Sequence, residues 1–168
     1  MLARRTFLAG AAGLALLPWL PGRARAALSD ATLEALASSG FVYVSPLRSD
    51  GSESTCHGEV WFSWQDDKVV LITASDRWKA RSMERGLDRA RIWVGDHGRW
   101  KRMGLKNEDF RKAPSFEARA VRIRDEAVLE RLLADYEKKY PKEIASWRDK
   151  FRAGFASGER VLIGYEPV

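Results

Sequence analysis

The chain has 168 residues, a formal net charge of +6, two histidines and one cysteine. A length of this order fits a single domain, and a lone cysteine, Cys56, excludes an intrachain disulfide. The first 26 residues contain four arginines and no acid, so that the remaining residues carry a net charge of only +2. This balance argues against the broad basic surface of a nucleic-acid-binding protein.

The N-terminal segment has the organisation of an export signal. Arg4 and Arg5 directly precede an uncharged, mainly apolar run over residues 7–20. That run is too short for a membrane-spanning helix, which needs about 20 residues. Residues 24–26 form an Ala-x-Ala site of the kind that signal peptidases cleave. The segment therefore predicts a signal peptide over residues 1–26 and no stable membrane anchor.

The Arg-Arg-x-Phe-Leu pattern at residues 4–8 resembles the twin-arginine consensus. The resemblance implies that the twin-arginine translocase exports the chain already folded, to the periplasm or otherwise outside the cytoplasm. Export after folding is typical of proteins that load a cofactor in the cytoplasm. We expect residues 27–168 to be the working domain.

The first part of this domain predicts one helix and three strands. Ser29 is placed to cap a helix over residues 30–38, with Leu33 and Leu36 on one face and Gly40 as its stop. Runs of β-branched and aromatic residues predict strands over residues 41–44, 54–64 and 69–73. The third run is entirely apolar up to its last residue, which indicates burial on both faces. We expect these strands to form an antiparallel meander.

A short helix, two strands and a long connection follow. The helix is indicated by three apolar residues at helical spacing, Ala80, Met83 and Leu87. Ser75 or Asp76 is placed to cap it. Residues 91–95 and 116–124 predict strands, the second with one solvated face. The twenty residues between them, 96–115, form a connection of a length that is usually functional or mobile.

The C-terminal part predicts two helices and a closing strand. Asp125 is placed to cap a helix with one apolar stripe, Leu129, Leu132, Leu133, Tyr136 and Tyr140. A second helix opens near Pro141 and buries Ile144, Trp147, Phe151 and Phe155. Residues 161–165 predict the last strand. Runs of strands interrupted by separate helices indicate an α+β fold with an antiparallel sheet, and six strands suffice to close a small barrel.

The order of these elements resembles the FMN-binding split-barrel family of pyridoxamine 5'-phosphate oxidase and its deazaflavin-dependent relatives. Thr73 ends the third strand and Lys79 follows six residues later in a short helix, before the strand at 90–95. The later segment Lys-Tyr-Pro at 139–141 and the closing strand agree with the family pattern. The resemblance implies a six-stranded antiparallel split β-barrel with flanking helices.

The same resemblance implies function. It implies a cofactor, FMN, with deazaflavin F420 or haem as alternatives, a small-molecule substrate, and a homodimer that builds the cofactor site between two barrels. In the family, a threonine at the end of the third strand and a Ser-Arg-Lys run in the next helix surround the flavin phosphate. Thr73 and Lys79 match, whereas Arg77 replaces the serine and Trp78 replaces the arginine. The second strand, which is basic in the pyridoxamine-type oxidases, carries Cys56, His57 and Glu59 here.

The residues themselves also indicate an anion site. A helix that begins near Ser75 would offer backbone N–H groups, with hydroxyl donors from Thr73 and Ser75 and positive charge from Arg77, Lys79 and Arg81. Such a set suits a phosphate. Taken alone, the same charges are also typical of the solvated face of an amphipathic helix.

The histidines and tryptophans are the candidate ligands of a metal or of a cofactor ring. With His57 and His97 as the only histidines and no spaced cysteine partner, the sequence lacks the ligands of a zinc site. His57 is interpreted as a cavity-lining or ordinary strand histidine, with a haem axial ligand as the alternative. Trp61 and Trp78 are the candidates for contact with a cofactor ring. The basic stretch 99–102 is interpreted as a solvated loop.

The leading functional prediction is an exported flavoprotein oxidoreductase, in which the cofactor carries the chemistry and the protein supplies binding and orientation. No side chain stands out in the sequence as a general acid or base. Two other classes stay open. One is an exported module that holds a cofactor or a small hydrophobic ligand without catalysis. The other is an empty barrel whose surface binds a partner protein.

Overall fold

The computed structural model describes residues 27–98 and 108–168. The predicted signal peptide and the basic stretch 99–102 lie outside these residues. The described helices are α1 Asp30–Ser38, α2 Trp78–Glu84, α3 Glu126–Lys139, α4 Pro141–Ile144 and α5 Arg148–Ser157, with a 3-10 turn at Asp109–Lys112. The strands are β1 Phe41–Pro46, β2 Gly58–Trp61, β3 Ser63–Gln65, β4 Lys68–Ala74, β5 Arg89–Val94, β6 Ser115–Ile123 and β7 Arg160–Pro167.

One antiparallel sheet contains all seven strands, in the order β2-β1-β5-β6-β7-β4-β3. Only Phe62 separates β2 from β3, so the two ends of the sheet belong to one continuous segment of chain. The sheet therefore curls round until it is nearly closed. The predicted α+β fold, an antiparallel split barrel with flanking helices, is confirmed.

The seventh strand comes from division of the predicted strand 54–64. Its start is a turn, in which Ser54 Oγ accepts a hydrogen bond from Cys56 N (3.2 Å) and donates one to Cys56 O (3.0 Å). Downstream, the chain pairs first with β1 and then, beyond the fully buried Phe62, with β4. The change of partner divides the strand, because each half continues a different ladder.

Two apolar clusters hold the barrel together. Alternate residues of the strands, including Val42, Val44 and Leu71, fill the barrel interior. Outside, α3, α4 and α5 pack their apolar stripe on the opposite face, where Val70 and Leu162 lie. The predicted third strand, residues 69–73, lies within β4. Its first three residues are buried, as predicted, and its last two are only partly buried.

Local capping signals predicted the starts of α1 and α3 correctly. Ser29 accepts a hydrogen bond from Thr32 N (3.3 Å) at the start of α1, and Asp125 accepts one from Ala127 N (2.8 Å) at the start of α3. The predicted apolar face of α1 is half wrong. Leu36 is buried, but Leu33 is 43% exposed, because Thr32, one turn before Leu36, takes the inward position.

The C-terminal helix is two helices rather than one. α4 ends at Ile144 and α5 begins at Arg148, so the predicted single stripe is interrupted at Trp147, which is 39% exposed. Gly158 then ends α5 with a left-handed conformation (φ 80°), which a glycine adopts without a steric penalty. Among the helices of the described residues, none has the length and apolar character to cross a membrane.

Candidate functional site

The barrel is split where β2 and β4 diverge. The ladder between β3 and β4 covers only Ser63–Gln65, which pairs with residues 68–70, whereas the preceding β2 pairs with β1. The later half of β4 and the start of β2 therefore separate. α2 follows β4 after three residues and packs against it, while its Lys79 side chain reaches Gly58 on β2. Helix α2 thus spans the split.

Lys79 is the buried cation of this split. Lys79 is only 9% exposed, and its Nζ lies 4.9 Å from the centre of the Trp78 ring, a cation–π geometry. A Cβ atom on Gly58 would lie 3.0 Å from Lys79 Nζ and 3.6 Å from its Cε. Gly58 therefore leaves the space in which the ammonium group lies. An ammonium held this close to apolar walls is well suited to pair with an anion.

The start of α2 differs from the prediction. The N-cap is Arg77, with no side-chain cap hydrogen bond, so neither Ser75 nor Asp76 caps the helix. The reason lies outside the segment: Ser75 N donates to Glu159 O (2.8 Å), which holds residue 75 as an extension of the β4–β7 pairing. The predicted backbone donor at Ser75 is consequently in use, and the helix opens at Trp78.

The other predicted phosphate residues lie around this helix start. Thr73 is half-buried on β4, opposite Val161 of β7, and lies two residues after Leu71 on the face that points into the barrel. Trp78 packs against the interior cluster. The Arg77 side chain is 72% exposed, with its Nε 3.9 Å from Asp76 Oδ1. The structure thus brings Thr73, Trp78 and Lys79 to one end of the barrel and leaves Arg77 in solvent.

Trp61 lies on the outer face of β2 and belongs to a different environment. Its ring stacks on Tyr140, with centroids 4.3 Å apart, and meets the edge of Tyr136 at 5.6 Å. Tyr136 Oη donates to Trp61 O (2.9 Å). Burial raises the pKa of both tyrosines well above the ordinary value, so both phenols keep their protons at neutral pH. The ring-contact role of Trp61 remains a prediction.

His57 packs beside the 3-10 turn. Its ring centre lies 4.9 Å from that of Phe110, and its Nε2 lies 3.6 Å from Glu108 Oε1. The side chain is 10% exposed, while the neighbouring Cys56 is exposed. Across residues 27–98 and 108–168, no three histidine, cysteine or carboxylate side chains are grouped in a way that could hold a metal ion.

The structure contains a buried polar cluster that was not predicted from the sequence. Tyr43 Oη donates to a carboxylate oxygen of Glu59 and accepts from His97 N (3.1 Å). The Phe110 ring covers Tyr43, with centroids 4.6 Å apart and planes 9° from parallel. Tyr43 and Phe110 are both fully buried, and Glu59 is 7% exposed. Period-two alternation in β1 places Tyr43 on the outer face, but only the fold brings Phe110 over it.

The same outer face carries an ion-pair network. Glu53 accepts from Arg111 Nη1 (2.5 Å) and Trp93 Nε1 (3.3 Å), and it pairs with Arg91 Nε at 3.3 Å. Arg91 also pairs with Glu117 (2.7 Å). Desolvation by burial lowers the pKa of Arg111, but its carboxylate partners outweigh this and leave the pKa raised overall. The C-terminal part of the long connection 96–115 is therefore fixed against the sheet.

Comparisons with known proteins bear on the fold. The sequence matches no protein-family model and, at a significant level, no curated protein. Solved structures are similar, among them HutZ, the heme storage protein from Vibrio cholerae, with 14% identity, 82% of this chain and 87% of that chain covered, and a TM-score of 0.52. The conserved hypothetical protein Rv2991 from Mycobacterium tuberculosis has 19% identity, 86% and 84% coverage, and a TM-score of 0.55.

A third similar structure is a FAD-binding protein from Mesorhizobium loti, with 12% identity, 84% of this chain and 91% of that chain covered, and a TM-score of 0.50. At identities this low, the likeness concerns the fold alone. It supports the antiparallel barrel architecture described above. The chain therefore has the split-barrel fold, which the element order of its sequence predicted.

Proposed function

We propose that this protein is an exported, flavin-dependent oxidoreductase that binds FMN at the split of the barrel, with the flavin phosphate paired to Lys79. The observation that carries the proposal is the buried Lys79 ammonium, held against Gly58 where α2 spans the gap between β2 and β4. The resemblance to the split-barrel family implies a phosphate ligand at this position, and a similar structure of the same fold is a FAD-binding protein.

The residues of the split fit a phosphate in three respects. Lys79 supplies a shielded positive charge, Thr73 supplies a hydroxyl donor on the neighbouring strand, and Trp78 supplies an apolar wall. This site has fewer basic residues for a phosphate than the site of the pyridoxamine-type oxidases. β2 and the turn before it carry Cys56, His57 and Glu59, where those enzymes have basic residues. Lys79 therefore carries most of the phosphate recognition.

A bound flavin would supply the hydride or electron transfer itself. The chain would position the flavin through its phosphate, with Gly58 keeping the backbone of β2 clear of the ammonium group. The apolar barrel interior next to Trp78 would exclude water from this end of the site.

Haem is the second candidate, and one observation favours it. His57 lies beside an aromatic ring, Phe110, in a chain whose fold is shared with a heme storage protein. An imidazole of this kind is a common axial ligand of haem iron. In that case the protein would be a binding module, and Lys79 would serve a propionate rather than a phosphate.

The absorbance spectrum of the protein, purified from a host that exports it, tests these alternatives. We expect a flavin spectrum, or saturable binding of added FMN to protein purified without cofactor. A deazaflavin or haem spectrum, each with bands at its own wavelengths, would overturn FMN as the cofactor. Haem whose Soret band shifts in His57→Ala would assign the second candidate. A colourless protein that binds none of the three would overturn both.

A further inference from the structure

A groove runs beside α2 and along the ends of β6, β7 and α5. It consists of two adjoining cavities of about 200 and 360 Å³, which share Arg122 and Val161 as lining residues. Small-molecule sites usually measure about 300–1,000 Å³, and the pair falls within that range. The larger cavity continues from Arg122 along the end of α5 to Arg160.

The smaller cavity has an apolar floor. Ala80 and Met83 of α2 face Val161 and Ile163 of β7 across it. Val161 and Ile163 are 3% and 0% exposed, so the floor is the outer boundary of the barrel core and is held rigidly by the sheet. Met83, which is only partly buried, supplies the apolar surface that a ligand can cover, since burial there removes apolar surface of both partners from water.

The rim of the groove is rich in arginine. Arg122 approaches Glu84 at 3.8 Å, a distance at the limit of an ion pair, and its side chain is 42% exposed. Within residues 27–98 and 108–168, Arg124 has no carboxylate within 4.0 Å. Arg160 lines the larger cavity, with its guanidinium carbon 5.1 Å from the centre of the Phe151 ring, a cation–π contact.

Two carboxylates also line the groove, Glu84 and Glu126. They are outnumbered by the three arginines, so the groove as a whole favours an anion. Arg122 lies where the apolar floor meets the basic part, and it belongs to both cavities. A ligand whose apolar part occupies the smaller cavity would therefore place its polar end at Arg122.

We propose that this groove is a binding site for a small anionic aromatic molecule of the carboxylate or sulfonate class. The ring lies against Met83 above the floor of the smaller cavity, and the anionic group pairs with Arg122, displacing the long contact to Glu84. Lys79 is not among the lining residues, so this site does not depend on the proposed flavin site.

The test uses two fluorescent probes with the same ring system. 8-Anilinonaphthalene-1-sulfonate carries a sulfonate, and N-phenyl-1-naphthylamine does not. We expect the folded, full-length protein to bind both saturably at one site. Arg122→Ala should lower the affinity for the sulfonate probe by roughly tenfold, the scale of a charge-assisted contact. It should lower the affinity for the neutral probe by less than about twofold. Arg122→Lys should retain part of the affinity for the sulfonate.

Arg119→Ala is the matched control, since Arg119 lies on the same strand, has 39% side-chain exposure and pairs with Asp88 away from the groove. It should leave both probes unchanged. Equal losses in Arg122→Ala and Arg119→Ala, equal losses for the two probes, or no saturable binding of either probe would each overturn the proposal. Because Arg122 and Arg119 are both at the surface, circular dichroism should show both variants folded.

Discussion

Lys79 and Gly58 meet across the split of the barrel, although they belong to different elements. A Cβ atom on Gly58 would lie 3.0 Å from Lys79 Nζ, closer than nine in ten Cβ contacts in folded proteins. The lack of a side chain at residue 58 is therefore what allows the ammonium to lie over β2. The same contact keeps Lys79 only 9% exposed at the mouth of the split.

Gly58→Ala tests whether this contact sets the position of the ammonium group. The new methyl group meets the tip of a flexible side chain rather than backbone, so the protein should fold with little loss of stability. Nζ must move, and we expect FMN affinity to fall by less than tenfold, under about 1.4 kcal/mol. Isothermal titration with FMN measures the change.

Gly40→Ala is the control for that substitution. A Cβ atom there would lie 3.6 Å from Tyr140 Cε1, an ordinary van der Waals contact remote from Lys79. It should leave FMN affinity as in the wild type. Unchanged affinity in Gly58→Ala as well would show that the contact with Gly58 does not position Lys79 for a ligand.

Phe110→Ala should strongly destabilise the fold. Phe110 is fully buried and covers Tyr43 at 4.6 Å, so its removal leaves a cavity over the polar cluster on β1. We expect a loss of about 3 kcal/mol in the free energy of unfolding, measured by urea denaturation. Leu87→Ala, at a residue that is 46% exposed, should change the free energy of unfolding by less than about 0.5 kcal/mol. Equal losses would mean that the 3-10 turn is not docked in solution.

Sequence reasoning worked best where structure is decided locally. The caps at Ser29 and Asp125 were predicted because the capping side chain bonds backbone groups within three residues. It failed where a distant segment intervenes. The start of α2 depends on Glu159 O, which accepts from Ser75 N, and the division of the second strand at Phe62 depends on two different pairing partners. Neither effect has a local signature.

The candidate site shows the same division. The resemblance to the split-barrel family predicted Thr73 and Lys79 together, and the structure places them near the end of β4 and the start of α2, within one short segment. The contribution of Gly58 could not be predicted, since it arises only when α2 spans the split. The cluster of Tyr43 and Phe110 likewise needs a loop to fold back over β1. Chemistry within a segment is readable from sequence, whereas chemistry between segments needs the fold.

Export is a separate prediction. We propose that the twin-arginine translocase carries the chain, and replacing Arg4 and Arg5 together by lysine should then hold the protein in the cytoplasm. The reason is that the receptor reads the paired guanidinium groups and not charge alone. Immunoblotting of cytoplasmic and exported fractions measures the outcome. Replacing Arg23 and Arg25 by lysine is the matched control and should permit export. Full export of the first variant would refute the assignment.

We also propose that the mature chain is a homodimer, as the resemblance to the split-barrel family implies. Multi-angle light scattering at micromolar concentration should then give a mass near twice that of the processed chain. A stable dimer requires roughly 800 Å² of buried surface on each partner, enough to persist at that concentration. A monomer mass would contradict both the dimer and a cofactor site shared between two barrels.

The most direct test of the proposed function is Lys79→Ala. Because Lys79 pairs with the phosphate and not with the ring, its loss should weaken FMN binding far more than riboflavin binding. A charge-assisted contact is worth roughly 1.5 to 3 kcal/mol, so FMN affinity should fall about ten- to a hundredfold. Arg77→Ala, in which a mainly exposed neighbouring cation is removed, should change FMN affinity by less than about threefold. Fluorescence titration with both flavins separates the outcomes. Equal losses for FMN and riboflavin, or no loss for either, would show that Lys79 is not a phosphate ligand and that FMN does not bind at the split.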